Sequence, residues 1–153
     1  MAFTPATPDY AERIRESFAR GNMMELIGAE IAAIEPGYVA IALPHADALM
    51  QQHGFFHAGA VATIADTAGG YAAYTLFPAG TSVLTAEFKI NFLAPAKGAR
   101  LLARGHVVKP GRTLTTCDME VYAVSADGTE KLCAKGLQTM AQVQGRDDIS
   151  QPG

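Results

Sequence analysis

The chain has 153 residues, 49% of them hydrophobic and 18% charged, which suits one globular core and leaves no room for a second domain. A formal net charge of −3 gives no basic footprint for nucleic acid, and Cys117 and Cys133 lack metal-ligand spacing, so both read as small apolar side chains in a reducing compartment. No basic region precedes an apolar run at the N-terminus, and nowhere do about 18 uninterrupted apolar residues occur, so a cytoplasmic protein without a membrane partner is expected.

In chain order, Pro8 and Asp9 open a short amphipathic helix over about 9–20, in which Tyr10, Ile14 and Phe18 recur at helical spacing until Gly21. The apolar stretches 25–35 and 38–43 flank the turn pair Pro36 and Gly37 and predict a first hairpin. Residues 44–54 read as irregular. The segment 57–77 is rich in alanine, apolar on every side, and carries Asp66 as its only acid; the pattern predicts a helix buried all round. Beyond Gly80 the period becomes two, with Leu84, Ala86, Phe88, Ile90 and Phe92 alternating with Thr85, Glu87, Lys89 and Asn91, the mark of a half-buried strand.

Strands at 99–108, 113–124 and 131–143 follow as an antiparallel meander joined by Gly- and Pro-containing turns. Asp118 and Glu120 are then set between Arg100 and Arg104 on one side and Lys131 and Lys135 on the other. The tail 144–153 is polar and reads as loose, leaving a core over about 24–143 within a single domain spanning 1–153. One apolar helix, a hairpin and four long strands imply an α+β architecture: an antiparallel sheet of five to six strands curled around the helix. Its uncovered edges call for pairing with an identical copy, so a homodimer is the minimum expected assembly.

Asp66 demands explanation, because an ionised carboxylate inside an apolar helix needs either a polar pocket or hydrogen-bond partners. The same helix starts at His57, Ala58 and Gly59, where amides lack intrahelical acceptors and the dipole favours an oxyanion. The stretch HGFFHAGAVATIADTAGG resembles the signature of the hotdog thioesterases of the phenylacetic acid degradation type, in which a helical acid follows a histidine by nine positions, as Asp66 follows His57. The likeness extends through FKINFLAPAKGARLLARGHVVKPGRTL and covers about 24–139. Ala58 stands where that family has its first glycine; alanine serves there unless the position needs a positive φ.

The resemblance implies a hotdog fold and hydrolysis of acyl-coenzyme A thioesters. Asp66 would act as nucleophile or as general base for water, and the Ala58 amide, with Gly59, as the oxyanion donor. Gln51 matches an Asn or Gln near the thioester or attacking water, and Thr85 a hydroxyl near the acid. Coenzyme A belongs to the substrate, so no cofactor is implied, and a dimer-of-dimers tetramer is the fuller expectation for the assembly.

Ala58 and Asp66 are eight residues apart, about 12 Å along a helix axis at ~1.5 Å per residue. A base and an oxyanion hole acting on one carbonyl must each lie within about 3 Å of the reacting atoms. One helix therefore cannot supply both, and two helices related by a two-fold axis would give two shared sites per dimer.

His57 is expected to fix its turn by hydrogen bonding; His53 lies four residues earlier, but no third ligand follows at useful spacing and no metal site is expected. Phe55 and Phe56 are candidates to line an acyl pocket, and Lys109 and Arg112 of the KPGR turn to meet coenzyme A phosphates. A hotdog dehydratase or hydratase, and a non-catalytic acyl-CoA-binding regulator, are the alternatives.

Overall fold

The computed structural model of the chain describes residues 2–145, and the polar tail from 146 onward lies outside the described residues. The first helix, α1 (Tyr10–Ala19), buries Arg13, Ile14 and Ser17. The Arg13 guanidinium donates to the carbonyl oxygens of Phe77 at 3.0 Å and Pro78 at 3.3 Å and lies 4.7 Å from the centre of the Tyr74 ring. It thereby anchors α1 where the central helix has ended and its last carbonyls favour a cation.

The first departure from expectation follows at once. Residues 25–28 are not strand: a second helix, α2 (Asn22–Ile27), ends at Gly28, whose φ of 72° is the left-handed cap that stops a helix. Only Glu30–Glu35 forms β1, which pairs antiparallel with β2 (Tyr38–Pro44) across the Pro36–Gly37 turn. The loop that follows holds a short 3-10 turn, Asp47–Leu49.

The central helix, α3, spans Ala58–Tyr74 with His57 as its N-cap. It stops three residues short of the expected end, because the amides of Leu76 and Phe77 turn back to Ala73 and Tyr74 in tighter bonds just before Pro78. Four more strands follow among the described residues: β3 (Thr81–Phe92), β4 (Arg100–Lys109), β5 (Leu114–Val124) and β6 (Glu130–Gln144).

All six strands form one antiparallel sheet in the order β1-β2-β4-β5-β6-β3. β4, β5 and β6 are the expected meander, but β3 lies beyond β6 as an edge strand and not beside β4. The helix explains this, since its 17 residues carry the chain about 25 Å, comparable with the width of the six-stranded sheet, so β3 enters at the edge opposite β1. This sheet around one long helix is the expected hotdog fold.

Small residues allow α3 to lie against the sheet. Ala65, Ala68 and Ala72 have no exposed surface, and a Cβ on Gly105 of β4 would fall 2.3 Å from the Ala68 carbonyl carbon. Contrary to the reading of 57–77 as buried all round, one face stays open: His57, Ala58 and Gly59 are exposed, and Ala62, Thr63, Asp66 and Thr67 are half-buried.

On the outer face the charges interlock with partners partly different from those expected. Glu120 lies opposite both Arg104 and Lys135, and Lys135 reaches Glu120 at 2.8 Å and Asp118 at 3.2 Å. Arg104 instead grips both oxygens of Glu130 at 2.8 Å and covers the Tyr122 ring. Arg100 and Lys131 lie opposite Val124 and Ala123, because their register positions fall short of the two acids. Among the described residues no helix is long and apolar enough to cross a membrane.

Candidate active site

The start of α3 presents one uncommitted donor. His57, extended at φ −61° and ψ 140°, accepts the Gly59 amide on Nδ1 at 2.9 Å. Its carbonyl takes the amides of Ala60 and Val61 at 2.9 and 3.2 Å. The Ala58 amide finds no acceptor among the described residues. Gly59 is thus already satisfied by its own neighbour, which leaves Ala58 as the first-turn donor facing outward. No described non-glycine residue has a positive φ, so alanine replaces the family's glycine here without strain.

A hollow of about 530 Å³ opens beside this turn, lined by Gln51, Phe55, Phe56, His57 and Ala58 together with residues of the β3–β4 connection. Five of the expected site residues therefore meet. The Gln51 carboxamide oxygen accepts the His53 amide and so orders the loop. Phe56 is almost wholly buried and belongs to the main core, so Phe55, half-buried, offers the more accessible aromatic surface.

Asp66 lies two turns further along α3, beside a separate hollow of about 260 Å³ shared with Met24, Tyr71, Thr85 and Met140. Its Oδ1 accepts the Thr85 hydroxyl at 2.7 Å and the Gln138 Nε2 at 3.0 Å. No described donor reaches Oδ2. Thr85 arrives there through an irregularity in β3. The register shifts between Thr85 and Glu87, so Thr85 opposite Met140 and Phe88 opposite Gln138 both face the helix although they are three residues apart.

Gln138 is the site residue that sequence reasoning missed. It is fully buried on the inner face of β6, and its signal was a polar side chain at an inward position between Gly136 and Met140. Lys109 and Arg112 stand apart, at the end of β4 and in the turn beyond, and line neither hollow. Among the described residues no three His, Cys, Asp or Glu side chains are grouped to hold a metal ion.

The two hollows have no lining residue in common. One chain thus carries an open amide donor and a buttressed carboxylate on the same helix but in different recesses. A family model described as the thioesterase superfamily matches residues 53–128, from the loop before α3 to the β5–β6 turn. A candidate esterase of Saccharolobus solfataricus is 34% identical over 126 residues, covering 82% of this chain and 81% of that protein. The chain belongs to the thioesterase superfamily.

Other likenesses place this superfamily member further. The crystal structure of a thioesterase family protein from Silicibacter pomeroyi superposes with a TM-score of 0.86 at 48% identity, covering 89% of this chain and 99% of that one. A 1,4-dihydroxy-2-naphthoyl-CoA hydrolase of Listeria monocytogenes is 24% identical over 120 residues, covering 78% of this chain and 94% of that protein. As a superfamily member the chain is a hydrolase of the hotdog fold, as its resemblance implied.

Proposed function

We propose that the chain hydrolyses acyl-coenzyme A thioesters to the free acid and coenzyme A, at sites completed between two subunits. The observation that carries this reading is the placement of the Ala58 amide and Asp66 Oδ2, two groups without partners among the described residues, in separate recesses of one helix. Eight residues of helix put them about 12 Å apart along the axis, too far to serve one carbonyl. A second copy packed against the open face of α3 would bring its Ala58 turn to Asp66 and its Asp66 to the first copy's turn.

The sheet edge supports that pairing. β3 is a 12-residue edge strand, and its helix-facing Phe88 and Phe92 are 43% and 51% exposed. A strand edge with uncovered aromatic rings is buried most simply by another copy of itself.

In the site so formed, the thioester carbonyl would point at the Ala58 amide, which stabilises the developing oxyanion. Asp66 acts as general base on water, or as nucleophile through an anhydride that water then opens. As the tetrahedral adduct collapses, the C–S bond breaks and the thiolate leaves, taking up a proton. Gln51 would lie near the thioester and Phe55 beside the acyl group, since both line the hollow at Ala58. The family relationship and the CoA hydrolase among the relatives support coenzyme A as the leaving group, and a medium-chain or aromatic acyl group suits the apolar recesses.

A panel of acyl-CoA substrates monitored with a thiol reagent tests the proposal. Thiol release from at least one, lost in Asp66→Asn, is expected. Absence of release across the panel, or full turnover by the variant, would overturn it; a change in chain unsaturation without thiol release would point to a hydratase.

A further inference from the structure

We propose that Gln138 is a positioning residue for the carboxylate of Asp66, holding Oδ1 from behind so that Oδ2 is the reactive oxygen. This rests on the hydrolytic reading above and assigns the two carboxylate oxygens different tasks. Gln138 Nε2 donates to Oδ1 at 3.0 Å and lies 3.2 Å from the Asp66 backbone carbonyl, so one amide group grips both the side chain and the main chain of the acid. These two contacts and a third, to Met140 Sδ at 2.8 Å, are all to acceptors, which fixes the NH2 group of the carboxamide on that side. Thr85 meets the same oxygen from the neighbouring strand β3. Oδ1 is therefore saturated, and Oδ2 is left for water or the thioester carbon.

The cost of this arrangement is visible. Gln138 has no exposed surface, and its Oε1 is buried with no hydrogen-bond partner among the described residues. A buried acceptor without a donor is destabilising, so an apolar side chain of similar size would serve the core better. Gly69 accommodates the carboxamide: a Cβ there would fall 1.9 Å from Oε1. A glycine inside a helix is itself unfavourable relative to alanine. Two local losses of stability thus converge on one contact, and that contact is with the carboxylate.

Among the described residues the recess at Asp66 offers one other titratable group, Tyr71 of α3; its remaining lining, from α2 and its start, α3, β3 and β6, carries no charge. A donor lost at Oδ1 is therefore felt by the carboxylate with no charged neighbour to replace it.

The test is Gln138→Met, which matches the volume and suits the neighbouring Met119 and Met140. Expected are a Tm equal to or above that of the native chain and a kcat lower by about 10-fold or more with KM within about two-fold. Carbon-13 NMR at neutral pH should show the Asp66 carboxyl resonance displaced from its native position without any substrate. Gly69→Ala, which displaces the carboxamide but leaves Gln138 in place, should reproduce it if the first variant folds poorly. A native carboxyl resonance and native kcat in a folded Gln138→Met would overturn the proposal, as would a fall in activity that follows a fall in Tm with the resonance unmoved. Asp66→Asn separates the two readings. If it keeps full turnover, the hydrolytic role of Asp66 fails and the carboxyl resonance in Gln138→Met still decides the contact; if it is inactive while Gln138→Met behaves as native, only the positioning role fails.

Discussion

Thr85 donates its hydroxyl to Asp66 Oδ1 at 2.7 Å, across from the edge strand to the central helix. The contact depends on the irregularity between Thr85 and Glu87 that turns Thr85 toward the helix. Thr85→Val keeps the shape and removes the donor, so kcat should fall about 10-fold, the lower end of what a hydrogen bond to a charged group contributes. Thr85→Ser should restore most of the activity. Steady-state kinetics on the best acyl-CoA substrate checks both, and a Thr85→Val enzyme with native kcat would remove Thr85 from the site.

The shared site has a genetic signature. Ala58 is the first residue of α3 and follows an extended His57, the two conditions under which proline is tolerated at a helix start. Ala58→Pro therefore deletes the proposed oxyanion donor with little disturbance to the fold, and should reduce kcat by about 100-fold or more. Mixed after subunit exchange in equal amounts with Asp66→Ala, it should recover roughly a quarter of native activity, since half of the dimers are mixed and each restores one of its two sites. Two inactive variants that stay inactive in a mixed dimer, verified by native mass spectrometry, would count against sites built between subunits.

What the residue string disclosed, and what it hid, divides along physical lines. The central helix announces itself as an alanine-rich apolar run too long for a strand, and the half-buried strands by the period of 2 that burial of one face imposes. The spacing of His57 and Asp66 is legible because both sit on one continuous element. α2 was hidden by its own apolarity: ELIG reads equally as strand or helix, and only the left-handed Gly28 decides it. The shift near Ala86 was invisible because alternation places Thr85 among the outward polar residues, and one extra residue reverses that. Gln138 lies 72 positions from Asp66, and their meeting follows only from the order of the strands.

The close approach of helix and sheet makes Gly105 a sensitive position. An added Cβ would meet the Ala68 carbonyl carbon at 2.3 Å and the Gly69 nitrogen at 2.4 Å, all main chain and unable to rotate away. Gly105→Ala should destabilise the chain by about 3 kcal/mol, read as a lower urea midpoint. Because α3 carries both Ala58 and Asp66, activity should fall even where the variant remains folded. An unchanged midpoint would mean that the helix sits further from β4 than described.

The cysteines give a prediction with a defined pH sign. Cys117 has no exposed surface, and burial pushes its thiol up to about 12, while burial also raises Cys133. A folded-state value above that of the unfolded chain contributes stability that is complete below the unfolded value of about 8.5 and is lost as the pH rises toward the folded one. By pH 10 this loss should reach about 2 kcal/mol for Cys117. Urea unfolding of the native chain should therefore weaken more between pH 7 and 10 than that of Cys117→Ala, in which common contributions from lysine and tyrosine cancel in the comparison. Neither thiol should react quickly with a thiol reagent at pH 8 until denaturant is added, so the same reagent can follow coenzyme A release with little background from the protein. Equal pH dependence in the two chains, or rapid labelling of the folded protein, would show that Cys117 is not sealed in the core.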